Sequence, residues 1–446
     1  MSPRRSETAP IEVRADLRRR LNDGLLSQID SYRRTGRMLD PADERVLAQA
    51  VLAEAMRDHA GARLARGDSP LSVEEEDDLA RAVLDDAFGA GVLDRYLSSP
   101  GITDITVNGA ATAHIVDETG RRRRIPPVAV NDEELAELIR TLARSNGARV
   151  DAAAVELNFS LADGSRVFAS LGGVSPHPVL AVRRHSAVAL ADLDELGSRG
   201  VADRGVIALL RAMVLAHKNV MISGGTGAGK TTACRAMANE IPPEERLVTV
   251  EDTLELGLHN DPERHPDVVA FLARPANLEG TGEVTMAQLT RMALRASPDR
   301  VIVGEVRGPE VIPLLDAMTQ GNDGSLGTVH ASSSKAAFSR LASYAVRAGQ
   351  QLRFEDALFV VGSALDFVVH ISRRREAEGW SRAITSIREV TGSGADGLIV
   401  SSNEIYAPGP DGRAAPTGVP LSPEAMAELT AAGYDPNHLT PARGWR

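Results

Sequence analysis

The chain has 446 residues, of which 43% are hydrophobic and 25% charged; this is the composition of a globular protein long enough for two or three domains. Its formal net charge of −11 argues against non-specific nucleic-acid binding, although it does not exclude a basic pore within an acidic chain. A single cysteine, Cys234, excludes an intrachain disulfide and is interpreted as a small buried residue. No secretory signal or membrane-spanning run is visible, so we expect a cytoplasmic protein that reaches a membrane only through partners.

Residues 1–90 are predicted to form a helical N-terminal region. Apolar residues recur at helical spacing over Ile11–Leu26 and Asp43–His59. After a Gly-Asp-Ser-Pro break, Ser72–Phe88 resumes the pattern with an acidic first turn. The basic cluster Arg14–Arg20 is interpreted as a solvated helix face.

Residues 91–190 are predicted to form a smaller α/β domain. Ile102–Val107 alternates, Asn108-Gly109 indicates a tight turn, and Ala113–Val116 is typical of a returning strand. A helix over 133–144 and strands over 155–159, 165–171 and 179–183 follow. Arg121–Arg124 is interpreted as a solvated hairpin tip, with an electropositive ligand-facing surface as the alternative. The polar segment 191–204 is predicted to be a linker that acts as a hinge.

Residues 205–446 are predicted to form an α/β domain around a parallel-rich central sheet. Helical patterns alternate with apolar segments that are typical of buried strands, at 219–223, 246–251, 300–305, 324–329 and 366–371. From about residue 375 a Gly/Pro-rich C-terminal extension follows, which ends in a short helix near 422–432.

The segment Ser223–Thr232 reads SGGTGAGKTT and contains the full phosphate-loop pattern G-x-x-x-x-G-K-[ST]. An apolar strand pattern precedes it and a helical pattern follows it. The glycines let the backbone aim its N–H groups at phosphate oxygens, and the helix N-terminus adds partial positive charge. Lys230 would reach the β- and γ-phosphates, and Thr231 would bind Mg²⁺. The pattern predicts a nucleoside triphosphate site formed by Gly224, Gly225, Thr226, Gly227, Ala228, Gly229, Lys230, Thr231 and Thr232.

Acidic residues end two of the later strand patterns. Glu305 ends Arg300–Glu305, and Glu251 and Asp252 end another apolar run. A carboxylate at such a strand end can hold Mg²⁺ through water or polarise an attacking water, which suits an ATPase.

A histidine, His330, ends a third strand pattern and is either a hydrogen-bonded structural residue or a γ-phosphate sensor. Three arginines close to these residues in sequence could stabilise transition-state charge across a subunit boundary, or make surface ion pairs: Arg274, Arg295 and Arg307.

In this order, the segments resemble the type II/IV secretion ATPase superfamily, and within it the CpaF/TadA family of tight-adherence (Tad) pilus assembly ATPases. Leu294–Glu310 follows that family's "LRxxPDRIIVGEVRGxE" pattern almost throughout. Val250–Leu256 resembles its acidic box, Thr328–Ala331 its histidine box, and Arg274–Gly280 its "RPxNxEG" segment. Upstream, residues 101–109 and 161–167 are similar to parts of its N-terminal domain, so the resemblance runs from about residue 85 onward.

The resemblance implies a RecA-like ATPase domain in a ring-shaped homo-hexamer that uses ATP and Mg²⁺. Glu305 would be the catalytic acid and a metal ligand together with Thr231, and Glu251 would assist it. His330 would sense the γ-phosphate, Arg295 and Arg307 would stabilise charge, and Arg274 would contact the nucleotide. Hydrolysis would drive an inner-membrane platform protein, with which the chain would associate peripherally.

Three positions depart from related patterns. Asn322 stands where a histidine is usual and Gly327 where a threonine is common; both lie near the sensor strand and bear on its tuning. Gly308 replaces the aspartate usual in type II secretion motors, and this, with the single cysteine, favours the Tad branch.

Two other functions stay open from the sequence. One is a conjugation-associated or nucleic-acid-translocating ATPase, and the other is a regulatory protein that binds a nucleoside triphosphate and hydrolyses it slowly.

Overall fold

The computed structural model describes residues 11–34, 41–88, 93–99, 101–146, 148, 156–161, 163–184, 192–274, 281–349, 351–376, 379–394 and 399–440. The chain divides into two compact units, Met1–Ser186 and Ala187–Arg446, each with cores of its own. Within the described ranges, no helix combines the length and the hydropathy that crossing a bilayer requires.

The first unit begins with three helices, as the apolar periodicity predicts. They are α1 (Ile11–Arg34), α2 (Pro41–Ala65) and α3 (Val73–Phe88). Their apolar faces bury Leu17, Leu21, Leu52 and Val83 in a small common core. Ser72 and Glu75 form a reciprocal cap at the start of α3, in which each side chain accepts the other residue's backbone N–H.

A six-stranded antiparallel sheet and one long helix complete the first unit. In chain order its elements are α4 (Asp94–Leu97), β1 (Ile102–Asn108), β2 (Ala113–Asp117), β3 (Arg122–Ile125), α5 (Asp132–Ser145), β4 (Leu157–Ser160), β5 (Arg166–Ser170) and β6 (Val179–Arg183). The strands lie in the order β3-β2-β1-β6-β5-β4, which confirms the hairpin predicted around Asn108-Gly109. The expected hairpin tip at Arg121–Arg124 is wrong, because Arg122–Arg124 belong to the edge strand β3 and Gly120 makes the turn ahead of it.

The second unit is a nine-stranded sheet with helices on both faces. Its elements are α6 (Leu193–Ser198), α7 (Arg204–Leu215), β7 (Val220–Gly224), α8 (Lys230–Ala238), β8 (Leu247–Glu251), β9 (Val268–Leu272), α9 (Met286–Ala293), β10 (Arg300–Val306), α10 (Val311–Ala317), β11 (Leu326–His330), α11 (Ser334–Arg347), α12 (Phe354–Ala364), β12 (Phe367–Glu376), β13 (Gly379–Ser393), β14 (Val400–Pro408), β15 (Ala414–Pro416) and α13 (Pro423–Ala431). One core lies beneath α6, α7, α8 and α13, and the other beneath α9 to α12.

The strand order is β15-β14-β13-β12-β7-β11-β10-β8-β9. Pairing is parallel from β12 to β9 and antiparallel from β12 to β15. The predicted α/β fold with a parallel-rich sheet is confirmed, as are its five expected strands and the short helix α13. Strands β9, β13, β14 and β15 were not predicted, and the last three place much of the expected Gly/Pro-rich C-terminal extension in the sheet.

Two further features bear on the sequence interpretation. Within the segment predicted as a linker, α6 forms and buries Leu193 and Leu196 in the core of the second unit; the hinge role stays a prediction. Cys234 lies on α8 with no exposed surface, as expected. Parallel pairing aligns the carboxyl ends of β7, β8, β10, β11 and β12 at one edge of the sheet, where ligands bind in folds of this class.

Candidate nucleotide site

The phosphate-loop sequence forms the turn between β7 and α8. Gly229 precedes α8 with φ of 101°, a left-handed conformation that favours glycine. Gly224 ends β7 so close to β12 that an added Cβ would lie 2.4 Å from the carbonyl oxygen of Ile371. The loop therefore depends on glycine for its conformation and for its position against the neighbouring strand. Thr231 and Thr232 follow in the first turn of α8, both half-buried.

Lys230 lies at the start of α8 with only 7% of its surface exposed. Its Nζ donates to the carbonyl oxygen of Gly225 at 3.1 Å and lies 3.1 Å from Nδ1 of His330. Burial, followed by the positive charge of Lys230, lowers the pKa of His330 below its usual range. His330 is therefore neutral near pH 7, and its Nδ1 can accept from the ammonium group.

Glu305 continues this line of contacts on the next strand. Its Oε1 lies 2.5 Å from Nε2 of His330. Because His330 is neutral, this is a close contact and not an ion pair; Oε1 is buried and receives no hydrogen bond from the described residues. The start of α8 and the ends of β11 and β10 thus bring Lys230, His330 and Glu305 together.

Glu251 is the second acid of the site and lies on β8 beside β10, with 2% of its surface exposed. Its Oε1 accepts the backbone N–H groups of Glu255 and Leu256, both at 2.9 Å. Its Oε2 is buried without a hydrogen bond from the part of the chain that the structure describes. Burial raises the pKa of Glu251 to about 7, so the group titrates near neutrality.

Gly304 allows Glu251 to lie against β10. A Cβ at this position would come within 2.9 Å of Cγ of Glu251, so any larger residue would displace the acid. Gly304 immediately precedes Glu305. The packing of Glu251 against Gly304 therefore also constrains the strand that carries Glu305. Two buried carboxylate oxygens without hydrogen bonds, on adjacent strands behind a phosphate loop, fit the oxygen donors that Mg²⁺ and its water ligands require.

The structure separates the three predicted arginines. Arg307 follows β10 and donates from Nη2 to Oδ2 of Asp252 at 2.8 Å, so it lies at the same edge as the two acids. Arg295 is exposed in the turn that leads into β10, at the opposite edge of the sheet.

Arg274 follows β9, four strands from β7, which corresponds to about 19 Å across the sheet. Its Nε donates to the carbonyl oxygen of Gly282. Neither Arg274 nor Arg295 is brought to the phosphate loop of its own chain.

The two departures near the sensor strand have structural explanations. Asn322 precedes β11 at the amino edge, where its Nδ2 donates to the carbonyl oxygen of Pro298 at 2.6 Å. An added Cβ at Gly327 would lie 3.0 Å from Cδ2 of Leu314, so this position packs in the core. Both positions act on the packing of β11, and Asn322 lies at the end of the strand away from His330.

Sequence reasoning missed the contribution of the β12–β13 hairpin. His370 on β12 is buried, and its Nδ1 lies 2.9 Å from Oγ of Ser223. Burial, followed by the charge of Lys230, lowers the pKa of His370. Arg382 on β13 donates from Nε to the carbonyl oxygen of Gly227 at 3.1 Å. No local pattern could indicate this contact, because 155 residues separate its two members.

An open cleft of about 340 Å³ lies beside the phosphate loop, between the ends of β11 and the β12–β13 hairpin. It is lined by Gly225, Thr226, Ala331, Ser332, His370, Ser372, Arg373 and Trp380.

A phosphate loop followed by acids at two parallel strand ends defines this chain as a phosphate-loop protein of the α/β class. Residues 87–378 match the family described as "Type II/IV secretion system protein", and the chain belongs to that family. The predicted superfamily is confirmed.

The chain is similar to curated proteins of this kind. It is 34% identical over 319 residues to "Putative conjugal transfer protein Rv3659c" of Mycobacterium tuberculosis (strain ATCC 25618 / H37Rv), covering 70% of this chain and 88% of that protein. It is 30% identical over 306 residues to "Protein VirB11" of Agrobacterium fabrum (strain C58 / ATCC 33970), covering 61% and 86%. A solved structure, the VirB11 ATPase from the Brucella suis type IV secretion system, aligns with a TM-score of 0.35 at 24% identity, over 66% of this chain and 94% of that chain.

Proposed function

We propose that this protein is an ATP-hydrolysing motor that powers assembly of a Tad-type pilus or a type II/IV-like secretion apparatus at the inner membrane. The observation that carries the proposal is the contact series from Lys230 through His330 to Glu305. It joins the phosphate-binding lysine to a half-buried carboxylate that can orient a water molecule. The signature segment, Gly308 and the single cysteine support the Tad branch.

Each residue of the series has a distinct task in this proposal. The loop N–H groups and Lys230 hold the phosphates, and Thr231 and Glu305 hold Mg²⁺, which when bound neutralises phosphate charge. The partly exposed carboxylate of Glu305 orients the attacking water and accepts its proton. When Lys230 turns to a γ-phosphate it releases Nδ1 of His330, so this histidine reports whether the phosphate is present.

Glu251 and the three arginines have supporting roles in this proposal. Glu251 supports Glu305 from the adjacent strand, and Arg307 stabilises developing charge from the same edge. Arg295 and Arg274 lie away from their own phosphate loop, so their role as charge or nucleotide ligands requires a neighbouring subunit. This is consistent with the homo-hexamer that we propose, which would act on inner-membrane platform proteins from the cytoplasm.

Replacement of Glu305 tests the hydrolytic role. Glu305→Gln is expected to lose ATP turnover and to retain ATP binding, whereas Lys230→Ala is expected to lose both. Glu244→Gln, at an exposed carboxylate ahead of β8, is the matched control and should keep wild-type turnover. Turnover that survives Glu305→Gln would refute the catalytic assignment. Very slow hydrolysis by the wild type would favour a regulatory protein instead.

A second candidate is a motor for conjugal transfer, which the name of the Mycobacterium tuberculosis relative favours. The net charge of −11 counts against DNA binding along the outer surface. Turnover should be measured with single-stranded DNA and, separately, with the platform protein in lipid. A large rise with DNA alone would select the conjugation motor, and a rise with the platform protein alone would select the assembly motor.

A further inference from the structure

Three side chains of the β12–β13 hairpin form a cluster beside the phosphate loop. Arg373 on β12 and Arg382 on β13 are paired in register, and Trp380 lies two residues before Arg382. Because side chains two residues apart share one face of a strand, all three project from the same face of the hairpin. The guanidinium carbon of Arg373 lies 4.2 Å from the centre of the Trp380 ring, which is a cation–π contact.

Both arginines lie against the backbone of the loop. Arg382 donates to the carbonyl oxygen of Gly227, and its Cδ lies 3.3 Å from where a Cβ of Gly229 would stand. Nη1 of Arg373 lies 3.4 Å from the equivalent position at Gly227. The hairpin therefore forms one wall of the turn that is proposed to hold phosphates.

The cluster also lies on the flank of β7 away from the hydrolytic residues. His330 and Glu305 are on β11 and β10, to one side of β7, whereas β12 and β13 lie to the other. A triphosphate whose terminal phosphate meets Lys230, His330 and Glu305 must extend its nucleoside away from those strands. The cleft beside the loop reaches from Ala331, which follows β11, to Trp380 on β13, and its Trp380 end lies on the side available to the nucleoside.

The exposure of Trp380 fits a ligand. The side chain lies at the rim of the cleft with 39% of its surface exposed, although one ring face is already covered by Arg373. Nε of Arg373 is buried and has no hydrogen-bond partner among the described residues. An indole held flat by a guanidinium group is a rigid surface on which a base can stack.

We infer that Trp380, held by Arg373, stacks on the purine base of the bound nucleoside triphosphate, and that Arg382 holds the phosphate loop in the shape that presents the nucleotide to it. This inference rests on the proposed ATP site and adds the residues that recognise the nucleoside. It distinguishes ATP from inorganic tripolyphosphate, which carries the same phosphates and has no base.

The test uses the full chain with Trp445→Phe, which leaves Trp380 as its one tryptophan because the sequence has two. ATP and inorganic tripolyphosphate are titrated separately with Mg²⁺ by calorimetry, and Trp380 fluorescence is followed in parallel. We expect ATP to quench Trp380 fluorescence and tripolyphosphate to leave it nearly unchanged. Trp380→Ala should weaken ATP binding about tenfold and tripolyphosphate binding less than twofold, and Trp380→Phe should retain most of the ATP affinity.

The outcomes separate the two proposals. If ATP binding depends on Lys230 and is unchanged by Trp380→Ala, the base-stacking inference is overturned and the ATP site stands. Equal weakening of ATP and tripolyphosphate binding by Trp380→Ala also overturns it, because the tryptophan would then support only the loop. If the wild type binds no ATP, the proposed function fails and the inference fails with it. Unchanged melting temperatures of the variants verify that each one folds.

Discussion

Replacement of Glu251 by Gln should change the pH dependence of stability in a defined direction. Burial raises the pKa of this carboxyl from 4.5 to about 7, so the folded chain binds a proton that the unfolded chain releases. Stability from this group is therefore fully present at low pH and is lost as pH rises from about 4.5 to about 7. Glutamine cannot ionise, so the variant should keep that stability at alkaline pH.

The size of the effect follows from the same shift. A difference of about 2.5 pKa units corresponds to about 3 kcal/mol, of which about 2 kcal/mol develops between pH 5.5 and pH 8. The unfolding free energy of Glu251→Gln, relative to wild type, should rise by that amount over this interval. Two backbone N–H groups donate to Oε1 of Glu251, and the amide oxygen of glutamine can accept both.

Urea denaturation at pH 5.5 and pH 8.0 measures how the difference in unfolding free energy between Glu251→Gln and wild type changes with pH. Unfolding should be followed by Trp380 fluorescence in the Trp445→Phe chain, so that the signal reports the second unit. Glu244→Gln serves as the control, because it also removes one carboxylate but at an exposed position. A stability difference between Glu251→Gln and wild type that is the same at both pH values would refute the reasoning.

Three other substitutions test how the sheet is held. Glu245→Ala should reduce the unfolding free energy by about 3–5 kcal/mol in urea titrations, because it leaves the fully buried Arg300 without its bidentate carboxylate; a loss below about 1 kcal/mol would contradict this. Gly304→Ala should cost about 1–3 kcal/mol and lower ATP turnover by displacing the buried acid on β8, whereas Gly308→Ala has room and should do neither. Thr285→Ala should cost about 1 kcal/mol in thermal unfolding by removing the capping box of α9, and serine at that position should restore most of it.

The parts of this fold that sequence reasoning predicted are those whose pattern lies within one continuous run of residues. The strand before the phosphate loop is buried on both faces and contains the apolar run Val220–Ile222, and β10 likewise contains the apolar run Val301–Val303. The turn at Gly109 is also local, so its residues suffice to indicate it.

The missed strands lack such continuity. The pairing of β13 shifts between Ile387 and Arg388 and again between Val390 and Gly392, and each shift interrupts the period of two that indicates a strand. The five residues of β9 are partly buried or exposed at the edge of the sheet, so their burial gives a weak signal.

The contacts of the site depend on the tertiary fold. Lys230 and His330 are 100 residues apart, and only strand order places them side by side. Arg382 reaches the loop because β12 continues beyond the length predicted for it and turns back as β13. The raised pKa of Glu251 arises from burial between strands, which a pattern of acids cannot reveal.

The single cysteine has a practical consequence. Cys234 lies one turn into the helix that follows the phosphate loop, fully enclosed by core side chains. Burial raises the pKa of its thiol well above the usual range, so the thiolate that reacts with alkylating reagents is suppressed in the folded chain. The rate at which Cys234 is alkylated therefore reports how often the helix after the phosphate loop opens. Bound nucleotide should lower this rate. Because Cys234 is buried, it does not react with thiol reagents while the chain is folded. A cysteine introduced at an exposed position can therefore carry a spectroscopic label without removal of Cys234.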